Sequence, residues 1–243
     1  MSRPGAGSSG KRHEPSRLVV LDDPRSFVAE AYRVLRTNLH YANPDAPIRR
    51  LVVTSAGEGE GKSTTVSNLA ICFAQADRAT LLIDADLRRP VVNTLFRQPA
   101  TPGLSSYLAG DALLDAIIQK TSVPNLSIIA SGPTPPNPAE LVGSRRMREL
   151  LDAASERFDM ILLDSPPVLA VSDAGALVPM VDGVLLVVGS GLAARLALRR
   201  AKEAIQAVQG RIVGAVLNRF DAVAQGYPRR YYDRYESYYS KRS

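Results

Sequence analysis

Hydrophobic positions along this chain follow two alternating periods. Short β-branched and aliphatic runs predict six strands: "RRLVVTSA", "ATLLIDAD", "NLSIIAS", "FDMILLD", "DGVLLVV" and "RIVGAVLN". Segments with apolar residues at helical spacing separate them: "KSTTVSNLAICFAQA", "LLDAIIQK", "AELVGSRRMRELLDAASE", "SDAGALVPM" and "RLALRRAKEAIQAVQ". A further helix, "PRSFVAEAYRVLRTNLHYA", precedes the first strand and ends before Pro44. Strands that are apolar on both faces and alternate with helices predict an α/β fold, a mostly parallel central sheet with helices on both faces. Asn137, Pro138 and Glu140 have the spacing of a helix N-cap, first turn and capping box.

The pattern fades at both ends. Residues 1–17 are rich in Gly, Ser, Pro and basic side chains and read as a disordered basic segment. Residues 18–220 form one domain, and 221–243 read as a flexible tail. The last seventeen residues, "YPRRYYDRYESYYSKRS", contain no Leu, Ile, Val or Phe, so they bury too little to offset the entropy of ordering. They hold six of the nine tyrosines: Tyr227, Tyr231, Tyr232, Tyr235, Tyr238 and Tyr239.

Composition narrows the classes. One cysteine, Cys72, excludes a disulfide framework and any Cys-rich metal site. No run of eighteen uncharged apolar residues exists, and the N-terminus lacks the apolar core of a secretory signal, so a cytoplasmic protein is expected. The net charge of +6 is concentrated at the ends. Arginines on solvated tails are the commoner source of such a balance, which argues against nucleic acid as a partner.

The sharpest chemical signal is "VVTSAGEGEGKSTTVSNLA", a strand entering a Gly-rich loop, then Lys-Ser-Thr and a helix. This is the context of a P-loop: backbone N–H groups converge on phosphate oxygens at a helix N-terminus. Gly57, Glu58, Gly59, Glu60, Gly61, Lys62, Ser63 and Thr64 are the expected ATP-binding residues. Lys62 would neutralise the β- and γ-phosphates and Ser63 would ligate Mg²⁺. Ala56 stands where the strict pattern has its first glycine.

Three acids end buried strands. Asp84 and Asp86 lie two apart in "LLIDAD", facing the same way along an extended chain, and Asp164 closes "ILLDSPP" as a Walker B acid does. In a parallel sheet the carboxyl ends share one edge, where ligands bind, so these acids and the P-loop should meet at one nucleotide. The last strand, ending at Asn218, reaches that edge too, and the tyrosine-rich segment follows it.

In this order the variant Walker A "AGEGEGKST", the acidic "LLIDADLRRP", the Walker B "ILLDSPPV", "PGLSSYLAG", "PPNPAELVGS" and the terminal tyrosines resemble the bacterial protein-tyrosine kinases of the capsule and exopolysaccharide type, in their separate cytoplasmic form. The resemblance runs from "EAYRVLRTNL" to the C-terminus. It implies the P-loop NTPase fold, Mg·ATP-dependent autophosphorylation of the tail and a ring homo-oligomer. It also implies a transmembrane, polysaccharide co-polymerase-type activator that recruits the enzyme to the membrane, and further cytosolic protein substrates. Glu58 departs from the family, where proline is common. Glu30, Arg33 and Arg36 in "EAYRVLR" match a subunit-contact triplet, although Glu30 and Arg33 could equally pair within their helix.

Within that reading Asp86 is the expected base for the phenol proton. Asp84 and Asp164 would hold Mg²⁺, with Ser63, and Asp86 is counted in the same metal set because the roles within "DAD" could be exchanged. Asn218 would hydrogen-bond adenine, or simply end its strand. Five cations face two anions in the last seventeen residues. Three phosphates at about −1.5 to −2 each would reverse that sign and expel the tail from an anionic cleft. The alternative for the tail is a helix whose tyrosines share one packing face. Among rivals, switch ATPases of the septum- or chromosome-positioning kind carry a lysine where Gly57 stands, and iron–sulfur carriers need a cysteine pair.

Overall fold

The computed structural model describes residues 18–42, 46–191 and 195–220. The segments expected to be disordered or tail-like, 1–17 and 221–243, lie outside the described residues, and with them all six C-terminal tyrosines.

Among the described residues seven strands form one sheet: β1 Arg50–Ser55, β2 Thr80–Asp84, β3 Gln119–Lys120, β4 Leu126–Ile129, β5 Met160–Asp164, β6 Gly183–Gly189 and β7 Ile212–Asn218. Their order is β3-β4-β2-β5-β1-β6-β7. All pairs are parallel except β3–β4. The helices are α1 Val19–Asp22, α2 Phe27–Tyr41, α3 Lys62–Ala74, α4 Val92–Leu95, α5 Leu104–Ala109, α6 Leu114–Ile117, α7 Pro138–Val142, α8 Arg145–Ser155, α9 Asp173–Leu177 and α10 Arg195–Ala207, with a 3₁₀ turn at Val178–Met180.

Strand alternation divides the core into two layers. Leu51, Val53, Leu82, Ile128 and Leu162 point to the side covered by α1–α4. Val52, Leu81, Ile83, Ile129, Ile161 and Leu163 point to the side of α5, α7 and α8, and Val184 and Leu186 continue that side under α10. Both faces are apolar because both are covered, the condition a parallel sheet requires. The helix α3 is buried from Thr65 to Ala74 because α1 and α2 cover its outer side.

The fold differs from the sequence reading in three places. The tail of "LLDAIIQK" is not helical: α6 stops at Ile117, and Gln119–Lys120 pair antiparallel with Ser127–Ile128. The backbone is already extended at Ile118, a β-branched residue that suits such a conformation, and the β4 edge supplies the partner for the two residues that follow. The stretch "AELVGSRRMRELLDAASE" is two helices, broken at Gly143, with the Ser144 hydroxyl accepting from Met147 N at 3.3 Å as a fresh N-cap. Asn137 does precede α7, but its side chain makes no cap bond; Nδ2 donates to Glu140 Oε2 at 2.6 Å, which ties the expected box residues to each other.

Candidate active site

The site grows from the end of β1. The chain leaves the strand at Ser55, turns through a loop with Gly59 at φ +73° and Gly61 at φ +92°, and enters α3 at Lys62. Both glycines occupy left-handed backbone that other residues rarely adopt. Gly61 is doubly constrained, because a Cβ there would lie 2.0 Å from Asn218 Nδ2. Facing the loop is a cleft of about 430 Å³ lined by Glu58, Gly59, Gly61, Lys62, Ser63 and Thr64 on one side. Asp86, Arg88, Arg89 and Val91, then Pro166, Pro167, Ala170 and Val171, and finally Arg219 complete its wall.

The three acids have distinct surroundings. β2 and β5 are neighbours, and their register pairs Asp84 with Asp164 directly. Asp84 is fully buried; one oxygen, Oδ2, accepts from Val91 N and Val92 N at 3.0 Å each, and Oδ1 has no partner. Neither carboxylate oxygen of Asp164 has a hydrogen-bond partner. Burial holds the Asp84 carboxyl above the usual range, and the charge of Asp164 adds to the shift. Burial raises Asp164 as well, against the pull of Lys62. Asp86 is different: it lines the cleft, accepts from Arg89 N at 3.0 Å, and forms an ion pair with Lys62, Nζ to Oδ2 3.1 Å. Burial works against the charge on Lys62, but Asp164, Asp86 and Asp84 outweigh it and raise its pKa.

Three buried carboxylate oxygens without partners are an arrangement that asks for a cation. Oxygen donors beside a P-loop suit Mg²⁺, with Ser63 at the helix start and the Asp84–Asp164 pair behind it. Among the described residues no three Asp, Glu, His or Cys side chains group closely enough to hold a metal by themselves. An ion here would complete its shell with phosphate oxygens and water, as Mg²⁺ commonly does. Asp86, also counted in the expected metal set, faces Lys62.

Other expected residues fall in varied places. Gly57, Glu60 and Asn218 are outside the cleft wall. Glu58 pairs with Arg89, which offsets the anion that sequence places beside the phosphates. Asn218, a possible adenine contact, donates from Nδ2 to the Glu60 carbonyl at 2.8 Å. Glu30, Arg33 and Arg36 lie on α2, away from the cleft. Arg33 Nη1 meets Glu30 Oε2 at 2.9 Å, and Arg36 Nη1 donates to Cys72 O at 3.3 Å, so the pairing within the helix does form.

Several residues of the site went unnoticed in the sequence. Arg88 makes a two-pronged pair with the fully buried Asp173 at the start of α9, 3.0 and 3.1 Å, tying the loop after β2 to the loop after β5. Arg89 and Arg219 also line the cleft. The signal was available: Arg88 and Arg89 lie in the loop after β2 and Arg219 directly after β7, on the edge where ligands of such sheets bind.

Comparison with known proteins agrees with this geometry. Residues 49–215 match the family model described as an AAA domain. The tyrosine-protein kinase YwqD of Bacillus subtilis is 42% identical over 201 residues, covering 83% of this chain and 85% of that protein. This chain belongs to the bacterial tyrosine-protein kinases. It is a protein-tyrosine kinase of the P-loop NTPase fold. The chimerical protein CapA2B2 superposes with a TM-score of 0.82 at 36% identity, over 85% of this chain and 91% of that one. The kinase domain of Escherichia coli tyrosine kinase ETK does so at 0.80 and 36%, over 86% and 85%. The septum site-determining protein MinD of Pyrococcus horikoshii, at 22% identity and a TM-score of 0.64 over 75% of each chain, shares the fold alone. No helix among the described residues is long and apolar enough to cross a membrane.

Proposed function

We propose that this kinase uses Mg·ATP to phosphorylate the tyrosines of its own C-terminal segment, Tyr227, Tyr231, Tyr232, Tyr235, Tyr238 and Tyr239, in trans within a ring of identical subunits. The observation that carries the reading is the path of the last strand. β7 ends at Asn218 against the phosphate loop, and Arg219 is part of the cleft wall, so the described chain approaches its last residues beside the cleft, which supports the reading. At about 3.3 Å per extended residue, the six tyrosines are within reach of this cleft or a neighbouring subunit's.

Lys62 meets the β- and γ-phosphates, and as they draw it away Asp86 is released from its ion pair. Mg²⁺, when bound, supplies charge neutralisation between the phosphates. The phenol oxygen attacks the γ-phosphorus, the bond to the β,γ-bridging oxygen breaks, ADP leaves, and the phenol proton passes to Asp86. Asp86 suits that task because it alone of the three acids lines the cleft. Asp84 and Asp164, with Ser63, would hold the cation. A phenol with an ordinary pKa of about 10 is almost wholly protonated at neutral pH, so a base is useful.

At the level of the cell, the reading is regulation of capsular or exopolysaccharide synthesis and export. A transmembrane co-polymerase-type partner would activate the enzyme and hold it at the cytoplasmic face of the membrane, and cytosolic proteins would serve as additional substrates. Incubating the purified protein with Mg·ATP and the partner's cytoplasmic segment, followed by mass spectrometry of residues 221–243, tests it. Phosphotyrosine there, absent in Lys62→Met and Asp86→Asn, is expected. An unmodified C-terminal segment in a preparation that phosphorylates an added peptide would remove autophosphorylation from the account.

A further inference from the structure

Glu60 is an anion inside an anion-binding loop, and it is 2% exposed. Its side chain does not line the cleft. Instead Oε1 accepts from Gly57 N at 2.6 Å, within the loop, and Oε2 accepts from Gly189 N at 2.7 Å, at the end of β6. The Glu60 carbonyl accepts from Asn218 Nδ2 at 2.8 Å, at the end of β7. One residue thus fastens the phosphate loop to two neighbouring strands, with the side chain on β6 and the main chain on β7. Gly61 presses against the same Asn218 amide from the next position.

We infer that Glu60 is a positioning residue for the phosphate loop: by bridging Gly57 and Gly189 it fixes the loop in its phosphate-receiving shape before nucleotide arrives. The chemistry selects a carboxylate. Both bridged groups are N–H donors, so both side-chain oxygens must accept, which glutamate does and glutamine cannot. A glutamine would turn its NH₂ toward one of the two donors and leave that N–H without a partner. Aspartate, one methylene shorter, cannot span both. A loop already held in the bound shape spares the ordering cost on binding, so affinity for the phosphates is the quantity that Glu60 sets. The base is not involved, because the bond from Asn218 is taken by the Glu60 main-chain carbonyl, which both substitutions keep.

The inference depends on the nucleotide site and not on where the phosphoryl group goes, so its test leaves the tail aside. ATP and GTP affinities are measured by calorimetry on the full chain and on Glu60→Gln and Glu60→Asp, with circular dichroism to verify folding. Ile128→Val, in the core at β4, serves as a control for general loss of stability. Both Glu60 variants are expected to bind ATP and GTP about tenfold or more weakly, with the ratio of the two nucleotides unchanged, while Ile128→Val binds as the parent does. In steady state with a peptide acceptor, the loss should appear in KM for ATP more than in kcat. ATP affinity within twofold of the parent in a folded Glu60→Gln or Glu60→Asp would overturn the inference. So would a loss confined to ATP, or an equal loss in Ile128→Val.

Discussion

Lys62 and Asp86 form an ion pair at 3.1 Å in the mouth of the cleft, with their side chains only 14% and 3% exposed. The charge on Lys62 is held by Asp164 first and then by Asp86, against its burial. Lys62→Met should abolish kinase activity, by a hundredfold or more, since it removes a donor aimed at the transferring group. It should also destabilise the nucleotide-free protein by about 3–5 kcal/mol by stranding Asp86. Lys62→Met combined with Asp86→Asn should recover most of the stability and none of the activity. Urea unfolding beside a peptide-kinase assay separates the two effects.

The Asp84–Asp164 pair predicts how stability depends on pH. Burial raises Asp84 and Asp164 above the unfolded aspartate value of about 3.9. A raised carboxyl favours the fold while it is protonated, and that advantage is lost as pH rises through its folded value. Without metal, the urea midpoint should therefore fall between pH 5 and pH 8. Asp84→Asn should flatten that fall, as should saturating Mg·ATP. A midpoint that climbs over the same range in EDTA would contradict the assignment.

Arg88 and Asp173 should respond unequally to substitution. Arg88 is 42% exposed along its side chain and can return to water, whereas Asp173 is fully buried. Arg88→Ala leaves a buried carboxylate alone and should cost about 3–5 kcal/mol. Asp173→Asn frees a half-solvated guanidinium and should cost less, about 1.5–3 kcal/mol, the range for a lost charged hydrogen bond. Chemical denaturation of the two variants reads the difference directly.

On α2 the Glu30–Arg33 pair is about 30% exposed on both sides, so within one subunit it is worth only about 0.2–1 kcal/mol. If these residues meet a neighbouring subunit, Glu30→Ala and Arg36→Ala should dissolve the oligomer in light scattering while thermal midpoints stay within a few degrees. A ring that survives both substitutions would assign the charges to the helix alone.

Much of this architecture was legible beforehand, for physical reasons that can be named. Six strands are visible because a doubly covered sheet demands continuous apolar runs, and the P-loop because phosphate binding demands glycines before a lysine. The two-residue β3 is not legible, since it exists only through its partner β4. The adjacency of Asp84 and Asp164 follows from strand order, a long-range property that no local spacing encodes. Glu60 could be placed in the loop, but not aimed: whether its carboxylate faces the nucleotide or the strand ends depends on Gly189, far along the chain. Arg219 is not legible either, since its place in the cleft wall depends on where β7 lies in the sheet.

That arginine has a practical bearing on how the protein is handled. Since residue 219 belongs to the cleft wall, a group attached at Phe220 sits one residue from that wall. A fluorescent reporter spliced there would crowd the entrance and slow turnover. A small environment-sensitive dye at the same point would instead brighten or dim as nucleotide comes and goes, making the junction a natural place to watch the enzyme work.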